Sequence, residues 1–575
     1  MLVVSNILSI HSGPHDSAAA VFQGYELKAA VHQERLSRVK CDGGFPDRAI
    51  ENVLKIAGFK PEDIDVVVLS RGSYPTVYFN YGWFDRLRFA VQRKKGRRRH
   101  KSLSSHMWKN GTAKAEDVFL KPVFCKENGF RHDVKLFFSN HHMAHALSAL
   151  FYLPGENVLA YTSDGGGDGV YYSARLLQGS DQFTCLFGDD KDFLGQGKTN
   201  SLALAYGYAT QAIGFRINRH EGKLTGLAAY GKPSLFEQMS AHFSVSDTGE
   251  VASDFSNNKA MKQAIFEMAK AASREDVAAS VQELLEVYTL ASIKKIMAHH
   301  NVERLALAGG AFANVRLNKL VCEETGIKDI FIAPAMGDDG LVIGGALEYL
   351  MRQDGEKAFF ANRRKLENVY LGEEFDAEAE QLFMQDDRLE KIAGDPAETA
   401  AELIAKDYIG AIYTGRMEFG PRALGARSII ASPKDDGINK TLNKRLQRTE
   451  FMPFAPYVLE EDADQVFEIT DANRYACRFM TITTRVNPEW ADKIAAVVHV
   501  DGTARPQIVN DRDNPLYSTI LRHFKQKTGL PVLVNTSFNA HEEPIICKPV
   551  ECLRALLDGR VDFVVIESGV FQRKQ

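Results

Sequence analysis

The sequence predicts a mixed α/β protein with more than one domain. Two patterns indicate this class: apolar runs that alternate with amphipathic helical runs, and hairpins whose turns contain glycine and aspartate. The composition supports a folded chain, because 45% of the residues are hydrophobic and 25% are charged, as in ordinary globular proteins. At about 150 residues per domain, a chain of 575 residues has room for roughly three to four domains, or fewer large ones.

The start of the chain predicts a hairpin followed by further strands and helices. A strand is expected over 3–10, and strands over 18–22 and 27–31 flank a turn at Gln23 and Gly24. The other elements predicted here are a helix over 46–56, strands over 64–70 and 135–138, and a helix extending to residue 152.

A second hairpin and a strand–helix series follow. Strands over 157–163 and 170–177 enclose the glycine-rich segment 164–169. The series after them is predicted as a helix over 277–299, a strand over 304–308, a helix over 312–322, a strand over 329–333 and a helix over 340–351. Two hairpins with similar turns indicate a domain made of two related halves.

A polar stretch rich in Lys, Arg and Asn predicts a linker over 353–366. It separates a first domain over 1–352 from a second over 367–575, which is large enough for a core of its own. The second domain is predicted to contain a helix over 397–405, a strand over 409–413 and a strand over 562–567 that ends the chain.

Charge, hydropathy and cysteine content disfavour several classes of protein. The formal net charge is −4, from 70 Lys and Arg against 74 Asp and Glu, so nucleic acid is not an expected partner. No run of 18 apolar residues predicts a membrane span, and residues 1–9 lack the basic start of a signal peptide. The seven cysteines form no CxxC pair, which fits a cytoplasmic protein. One basic run, from Arg93 to Lys101, is either a solvated loop or a polyanion contact.

Two histidines and two aspartates form a candidate metal site. His141 and His145 stand four residues apart, which places both rings on one face of a helix, whereas His142 points elsewhere. Asp164 ends a strand and Asp338 lies at a strand-to-helix junction, where α/β folds expose ligands. This donor set suits Fe²⁺, Mn²⁺ or Zn²⁺. The alternative is that the aspartates only cap helices or complete turns.

Glycine-rich segments suggest a phosphate site in the first domain. Segment 164–169 and the pair Gly309 and Gly310 allow a phosphate to approach the backbone amides closely. Neither segment matches the P-loop or the full GxGxxG pattern. The order of hairpin, Gly/Asp loop and strand–Gly-Gly–helix is instead that of the fold shared by actin, heat-shock chaperone ATPases and sugar kinases.

Basic and amide side chains suggest a polyphosphate or nucleotide pocket in the second domain. They lie in segments punctuated by glycine and proline, and guanidinium groups bind phosphate oxygens in pairs. Ordinary surface ion pairing is the alternative. The candidate residues are Arg416, Arg422, Lys444, Arg448, Arg505, Asn535, Ser537 and Asn539.

Together these motifs resemble the O-carbamoyltransferase family of the nodulation protein U and tobramycin carbamoyltransferase type. They follow the family's order along nearly the whole chain. The segments that carry the resemblance are 15–19, 141–146, 163–169, 221–231, 309–314, 337–340, 419–428, 451–456 and 535–539. The resemblance implies an actin-like ATPase (ASKHA) first domain, like that of tRNA threonylcarbamoyltransferases, and a YrdC-like second domain.

The resemblance also implies a two-step, ATP-dependent reaction. The YrdC-like domain would form carbamoyl adenylate from carbamoyl phosphate and ATP, with Mg²⁺ accompanying the ATP. The first domain would then transfer the carbamoyl group to a hydroxyl of a sugar, antibiotic or related natural product. The family's metal, typically iron, would be bound by His141, His145, Asp164 and Asp338. Its nucleotide positions in the first domain fall on Gly165, Gly166, Gly309, Gly310, Asn314 and Asp339.

Roles for the acceptor side are open. A base must take the acceptor's proton, and His15 beside Asp16 is the candidate; equally, His15 could only orient the carbamoyl group through a hydrogen bond. Lys40 and Lys223 could hold the acceptor or neutralise phosphate charge, and Glu221 could hold its polar groups. Because the adenylate hydrolyses readily, we expect an internal passage between the two active sites.

Two other functions compete with this one. A tRNA or protein acceptor is disfavoured, because hydrogenase-maturation carbamoyltransferases carry CxxC motifs that this chain lacks and the charge here is not basic. A non-enzymatic nucleotide-binding scaffold is disfavoured by the intact set of candidate metal ligands. A homodimer is left open.

Overall fold

The computed structural model of the protein describes residues 4–80, 100–112, 114–189, 200–448 and 453–574. Of the basic run from Arg93 to Lys101, only His100 and Lys101 fall within these residues, so its expected role stays a prediction. The described chain is a mixed α/β structure, as the sequence predicts. None of its described helices is long and apolar enough to cross a bilayer.

The chain divides into two compact units, each built from three stretches of sequence. The first unit comprises Met1–Ser201, Ala306–Gly310 and Ala335–Lys365, and the second comprises Leu202–Leu305, Ala311–Pro334 and Leu366–Gln575. The domains expected over 1–352 and 367–575 are a different division of the chain, and they remain a prediction. The stretch expected as a linker contains helix Glu356–Ala361, whose Phe359 and Phe360 are buried.

The first sheet of the first unit begins with the predicted hairpin. Its strands lie in the order third, second, first, fourth, fifth along the chain. The first three strands pair antiparallel and the last two join in parallel. The strands are Asn6–His11, Ala18–Gln23, Glu26–His32, Val66–Ser70 and Lys135–Ser139.

The second sheet of the first unit repeats this order over its first four strands. Gln182–Phe187, Val170–Gln178 and Val158–Gly167 form its antiparallel part. Ala306–Ala308, the part of strand Arg304–Ala308 that belongs to this unit, lies next to Val158–Gly167. The repetition agrees with the two related halves that the hairpins predict. The glycine-rich segment is shorter as a loop than expected, because strand Val158–Gly167 continues through most of it.

Two helices of the first unit pack closely against each other. They are His141–Leu150 and Leu341–Asp354. Gly344 permits the approach, because a Cβ there would lie 1.7 Å from the carbonyl oxygen of Ala144. Among the described residues, the unit's other helices are Gln33–Ser37, Asp47–Ala57, Leu103–Lys109, Lys121–Asn128 and Glu356–Ala361. Two short strands that the structure describes here, Ser73–Pro75 and His100–Ser102, pair with each other.

The second unit has a helical part built around helix Arg274–His299, which the sequence predicts over 277–299. Helices Leu202–Ala212 and Asn258–Ala269 share this part, and Leu202–Ala212 packs against both of them. The other elements here are helices Glu221–Leu227, Phe236–Ser240 and Val315–Thr325, the hairpin of Phe243–Val245 and Val251–Ser253, and strand Asp329–Ile332.

The second unit also contains an eight-stranded sheet. In spatial order its strands are Leu389–Ile392, Gly569–Arg573, Phe563–Ile566, Gly410–Tyr413, Arg427–Ala431, Val532–Ser537, Ala455–Leu459 and Gln507–Val509. Helices Pro396–Ala405 and Pro515–Thr528 pack together in its core. The expectation that the chain ends on the strand over 562–567 is wrong. A further strand, Gly569–Arg573, pairs antiparallel with it. Glu567 and Ser568 form the tight turn between the two strands. This last strand is short and ends in polar residues, so the sequence gives little sign of it.

Smaller elements complete the second unit. Strands Tyr370–Glu374 and Arg416–Glu418 pair with each other, as do Thr484–Arg485 and Thr503–Ala504. The remaining helices are Asp376–Gln385, Gly437–Arg445, Ala463–Val466, Asp471–Cys477, Pro488–Ala491 and Pro549–Leu557.

Candidate metal centre and anion-binding residues

The four residues expected as metal ligands converge in the first unit. One potential ligand atom from each of His141, His145, Asp164 and Asp338 lies within 4.8 Å of every other. Oδ1 of Asp338 is 3.6 Å from Nε2 of both histidines, and Oδ2 of Asp164 is 3.3 Å from Nε2 of His141. The structure therefore brings together residues that are up to 197 positions apart in the sequence (338 minus 141).

Local structure explains how three of the four candidate ligands, His141, His145 and Asp338, are positioned. Asn140 caps helix His141–Leu150 by accepting a hydrogen bond from the amide of Met143, and its own amide donates to Oε2 of Glu348 at 2.8 Å. These bonds fix the first turn, so His141 and His145 project from one helical face. Asp338 opens the short helical turn Asp338–Gly340 that leads into helix Leu341–Asp354.

The donor atoms fit a divalent cation. Both ring nitrogens of His145 and Oδ1 of Asp338 are buried and have no hydrogen-bond partner among the described residues. Burying such atoms without a partner costs about 1–3 kcal/mol each, so a bound cation would remove a real penalty. Two imidazoles with two carboxylates match the preferences of Fe²⁺, Mn²⁺ and Zn²⁺.

Electrostatics in the cluster favour a proton where a cation would bind. Burial lowers the pKa of His141, but the charges of Asp338 and Asp164 outweigh it and raise the pKa to about 9. Burial and the neighbouring Asp164 raise the pKa of Asp338, yet the surrounding histidines hold it below its usual range. Asp164 behaves likewise: His141 and His145 hold its pKa well below the usual value despite burial.

Asp168 supports the cluster, although the sequence indicates only a turn residue at this position. Its Oδ2 accepts a hydrogen bond from the amide of His141 at 3.1 Å and lies 3.4 Å from Nη1 of Arg71. The signal in the sequence was an aspartate in a glycine-rich turn, which is also what any tight turn shows.

His142 is hydrogen-bonded to Thr162 and Val170, away from the metal-ligand candidates, as its position in the sequence predicts. Nδ1 lies 2.7 Å from Oγ1 of Thr162 and Nε2 lies 2.9 Å from the carbonyl oxygen of Val170. Both nitrogens are therefore engaged. Burial holds the pKa of this ring well below its ordinary value.

Four of the expected nucleotide-binding glycines lie beside the cluster. The amide of Gly310 donates to Oδ1 of Asp164 at 2.9 Å, whereas the amide of Gly309 donates to the carbonyl of Met336 at 2.7 Å. Gly165 and Gly166 are at the end of strand Val158–Gly167. The amides of Gly309 and Gly310 are thus already hydrogen-bonded within the protein, the first to the backbone and the second to Asp164.

The other two expected nucleotide-binding residues, Asn314 and Asp339, are engaged elsewhere. Asn314 belongs to the second unit, where it caps helix Val315–Thr325 and donates to Oε1 of Gln282 at 2.7 Å. Asp339 is buried in the first unit, with its Oδ2 3.4 Å from Nε2 of His32. Burial and the charges of Asp16 and Asp338 raise the pKa of Asp339 to about 8.

His15 and Asp16 form a pair near the cluster. Nδ1 of His15 lies 2.9 Å from Oδ2 of Asp16. Burial lowers the pKa of His15, but the hydrogen bond to Asp16 and the charges of Asp338, Asp16 and Asp164 outweigh it and raise the pKa to about 9. At neutral pH the ring is a cation and a hydrogen-bond donor.

The three residues expected to hold the acceptor belong to different units, and their role stays a prediction. Lys40, in the first unit, pairs with Oε1 of the buried Glu34 at 3.0 Å. Glu221 and Lys223 belong to the second unit. Oε1 of Glu221 accepts from the amide of Asn218 at 2.6 Å, and Lys223 is buried.

His11 is a further histidine at the cluster, and no motif in the sequence points to it. Nε2 of His11 lies 3.9 Å from Oδ2 of Asp338, and Nδ1 lies 2.9 Å from Oγ of Ser70. Burial lowers the pKa of His11 to about 4, so the ring is neutral. Its position at the end of strand Asn6–His11 was the available signal, but no spacing rule linked it to Asp338.

The C-terminal candidates split into two groups. Arg448 binds one segment, 536–539, at three points: its guanidinium donates to Oγ1 of Thr536 at 3.0 Å, to the carbonyl oxygen of Ser537 at 2.7 Å and to Oδ1 of Asn539 at 2.7 Å. Arg416 instead donates to the carbonyl of Leu371 at 2.8 Å.

Asn535 and the remaining basic candidates lie in different environments. Nδ2 of Asn535 donates to Oε1 of Gln507 at 2.8 Å inside the sheet. Lys444 is exposed on helix Gly437–Arg445, and Arg422 and Arg505 are half-buried. Arg448, Ser537 and Asn539 are thus in contact, whereas Arg416 and Asn535 contribute hydrogen bonds within the fold.

The second unit also contains a cavity of about 640 Å³ that is open to solvent. Helix Arg274–His299, helix Val315–Thr325 and the segments around Thr483 and Asp501 supply its walls. Within it, Nε of Arg316 pairs with Oε1 of Glu286 at 2.9 Å.

Two family models match the chain. One, described as the carbamoyltransferase N-terminus, matches residues 6–347, and the other, described as the carbamoyltransferase C-terminus, matches residues 401–573. The first match ends before the predicted linker over 353–366 and the second begins after it.

Curated relatives align with much of the chain. Nodulation protein NolNO of Sinorhizobium fredii is 32% identical over 579 residues, which covers 97% of this chain and 79% of the relative. Uncharacterized protein MJ1058 of Methanocaldococcus jannaschii is 34% identical over 466 residues, covering 77% of this chain and 75% of the relative. Nodulation protein U of Rhizobium tropici is 28% identical over 307 residues, covering 52% and 50%.

Solved structures show only distant likenesses. Component A of (R)-2-hydroxyglutaryl-CoA dehydratase from Acidaminococcus fermentans is 14% identical with a TM-score of 0.33, and the match covers 61% of this chain and 99% of that chain. Full-length HypF in its phosphate- and nucleotide-bound form is 12% identical with a TM-score of 0.32, covering 62% and 57%. The mixed α/β fold class is therefore taken from the order of the strands in the protein's own sheets.

Proposed function

The chain belongs to the carbamoyltransferase family and is a carbamoyltransferase, and from this premise we propose that it carbamoylates a hydroxyl of a small molecule in two ATP-dependent steps. In the first step, water splits carbamoyl phosphate into carbamate and phosphate. A carbamate oxygen then bonds to the α-phosphorus of ATP as the bond to pyrophosphate breaks, which gives carbamoyl adenylate and pyrophosphate. In the second step, the acceptor oxygen bonds to the carbamoyl carbon and the bond to AMP breaks. The hydroxyl proton is lost and AMP leaves.

The single observation that carries the proposal is the four-residue cluster. His141, His145, Asp164 and Asp338 offer donor atoms within 4.8 Å of one another. Both ring nitrogens of His145 and Oδ1 of Asp338 lack a hydrogen-bond partner among the described residues. We assign these four residues to a divalent metal, with Fe²⁺ as the first candidate. A bound divalent ion would supply Lewis-acid polarisation of a phosphate or carbamoyl oxygen.

The chain's own groups would act around this centre. His15, held by Asp16, would donate a hydrogen bond to an oxygen of the carbamoyl group or phosphate, since its raised pKa keeps it protonated. Such a fixed donor stabilises charge that develops during acyl transfer. Gly165, Gly166 and Gly310 would bring backbone close to the adenylate phosphate. Lys40, Glu221 and Lys223 remain candidates for holding the acceptor.

We assign the first step to the C-terminal region over 367–575, which we expect to be YrdC-like. Arg448, Ser537 and Asn539 are in contact there and would bind phosphate oxygens of ATP, with Mg²⁺, or of carbamoyl phosphate. Arg422, Arg505 and Lys444 are further candidates. The N-terminal region over 1–352, which we expect to be actin-like, would carry out the second step.

An internal passage would carry the adenylate from the first active site to the second. An adenylate that left the protein would be hydrolysed by water. The cavity of about 640 Å³ within the second unit is lined by residues from both regions matched by the family models, such as Arg316 and Asp501.

Pyrophosphate release tests the first step. We expect purified protein to release pyrophosphate from ATP only when carbamoyl phosphate is present. Arg505→Ala should abolish this release, and Arg388→Ala, an exposed arginine paired with Asp386, serves as the matched control. Release that does not depend on carbamoyl phosphate would contradict the proposed chemistry.

A metal-ligand variant separates the two steps. His145→Ala should leave pyrophosphate release largely intact, because the C-terminal candidates belong to the other unit. It should abolish carbamoylation of the acceptor, which mass spectrometry detects as the added mass of one carbamoyl group. Loss of both activities together in a folded variant would count against separate sites.

A further inference from the structure

We propose that His11 is a positioning residue of the metal centre: it donates a hydrogen bond from Nε2 to the outer oxygen of Asp338 and so turns the other oxygen toward the ion. The inference rests on the proposed function, because it requires that the four-residue cluster bind a metal. It adds a fifth side chain to the centre, one that acts through a ligand.

The two oxygens of Asp338 face different partners. Oδ1 lies 3.6 Å from Nε2 of both His141 and His145, so this oxygen belongs with the ligand atoms. Oδ2 lies 3.9 Å from Nε2 of His11. A carboxylate that binds a metal through one oxygen is commonly held in place by a hydrogen bond to the other, and His11 is on that side of Asp338.

The pairing of two strands fixes the position of His11 beside Ser70. Strands Asn6–His11 and Val66–Ser70 pair in parallel, with Ile10 opposite Leu69. Their last residues therefore end side by side, and Nδ1 of His11 lies 2.9 Å from Oγ of Ser70. If the serine hydroxyl donates to Nδ1, the neutral ring carries its only N–H on Nε2, the nitrogen that faces Asp338.

Nε2 of His11 needs an acceptor. It is buried and has no hydrogen-bond partner among the described residues, and its present distance from Asp338 is about 1 Å longer than an N–H···O hydrogen bond. Leaving a buried donor without an acceptor is costly. A small rotation of the Asp338 carboxylate would satisfy this donor.

The sequence leaves space for the ring. A Cβ at Gly13 would lie 2.4 Å from Nε2 of His11 and 2.6 Å from the carbonyl oxygen of His15. Any larger residue at position 13 would push the ring away from Asp338 or shift the segment that carries His15. Gly13 therefore keeps the path between His11 and Asp338 open.

Cobalt binding to the full chain tests the proposal, because the visible spectrum of Co²⁺ reports its ligands independently of activity. His11→Leu removes the donor, whereas His11→Gln keeps an N–H near the position of Nε2. We expect His11→Leu to weaken Co²⁺ binding on the order of 10- to 100-fold, with His11→Gln close to the wild type. The spectrum of bound Co²⁺ should keep its form in both variants.

Each other outcome has a definite meaning. Equal Co²⁺ affinity in the wild type and in His11→Leu would overturn the proposal. A spectrum altered in both variants would overturn it as well, because His11 would then be a direct ligand. If the wild type binds no Co²⁺, the metal centre of the proposed function fails, which is a separate result.

A second variant covers the case in which His11→Leu does not fold. Ser70→Ala keeps the imidazole but removes the hydroxyl that sets its tautomer. We expect a smaller loss of Co²⁺ affinity than full removal of the donor would give, with an unchanged spectrum. Affinity equal to that of the wild type would mean that Ser70 and His11 do not act on Asp338 together.

Discussion

The backbone amide of Gly310 donates a hydrogen bond to Oδ1 of Asp164 at 2.9 Å, although 146 positions separate the two residues in the sequence. Asp164 thus has one oxygen bound by a glycine turn and the other, Oδ2, 3.3 Å from Nε2 of His141. Two motifs that look independent in the sequence, a glycine pair and a Gly/Asp loop, are parts of one arrangement that orients a metal ligand.

Gly310→Ala should weaken metal binding. A Cβ at this position would lie 2.9 Å from Oδ1 of Asp164, a separation too short for a real contact, so the carboxylate must move. We expect the affinity for Co²⁺ or Mn²⁺ to fall by about 10-fold or more, in the range found when partners of metal ligands are altered. Equilibrium dialysis against a chelator buffer measures the change.

Gly222→Ala is the matched control for this prediction. A Cβ at Gly222 would meet nothing within 4 Å, and the residue lies in helix Glu221–Leu227, where alanine is favourable. Its metal affinity should equal that of the wild type. Unchanged affinity in Gly310→Ala as well would mean that Asp164 tolerates the shift or is not a ligand.

Local sequence patterns predicted most of the helices and strands near the metal centre, but they did not identify every residue that contacts it. The spacing of His141 and His145 and the positions of Asp164 and Asp338 at strand ends were sufficient to propose a cluster, because helical periodicity and strand ends are local properties. His11 could not be found this way. Its relation to Asp338 depends on which strands become neighbours, and a single sequence does not state that.

Asn314 shows that a residue in a functional motif can also have a structural role. Its motif suggested nucleotide binding, yet its side chain caps helix Val315–Thr325 and donates to Gln282. An asparagine before a helix is a favoured cap whatever else surrounds it. Residue type and position do not separate the two roles: the observed hydrogen bonds establish the cap, and nucleotide binding by Asn314 stays a prediction.

Arg427 is the arginine of segment 419–428 with the clearest structural role. It is fully buried and donates to the carbonyls of Thr414 at 2.7 Å, Ala426 at 2.9 Å and Gly415 at 3.1 Å. Its guanidinium carbon lies 3.8 Å from the centre of the Tyr413 ring. We expect Arg427→Lys to lower the free energy of unfolding by about 2–3 kcal/mol, because an ammonium cannot serve these partners together.

Urea denaturation without substrates measures this loss, with exposed Arg388→Lys as the control. The control should unfold within about 0.5 kcal/mol of the wild type. A stable Arg427→Lys protein that no longer releases pyrophosphate would instead place Arg427 in the substrate pocket.

His142 should make stability fall in acid. Burial holds the pKa of this ring well below 6.5 in the folded protein, whereas in the unfolded chain it returns to about 6.5. The unfolded state therefore binds a proton that the folded state refuses, and stability is lost as the pH falls below about 6.5. At pH 5.5 the loss from this group is about 1.4 kcal/mol.

A comparison with His142→Gln isolates that contribution. Glutamine offers an acceptor and a donor for Thr162 and Val170 but does not titrate. In urea titrations of metal-free protein at pH 7.5, 6.5 and 5.5, the wild type should lose stability more steeply than the variant. Parallel curves for the two proteins would show that His142 takes up a proton in the folded state.

The pH profile of carbamoyl transfer distinguishes the two roles open to His15. Its pKa is raised to about 9, since the hydrogen bond to Asp16 and nearby carboxylates outweigh burial, so the protonated ring persists below that pH. If it acts as a donor, the transfer rate should stay level between pH 6.5 and 8 and fall as the pH rises through about 9.

His15→Ala should lose about 10²- to 10³-fold in rate, as when one fixed donor to a developing charge is removed. Asp16→Asn should move the falling limb to lower pH, because it removes the charge that stabilises the cation. A rate that instead climbs with pH up to about 9 would identify the neutral ring as the base that takes the acceptor's proton.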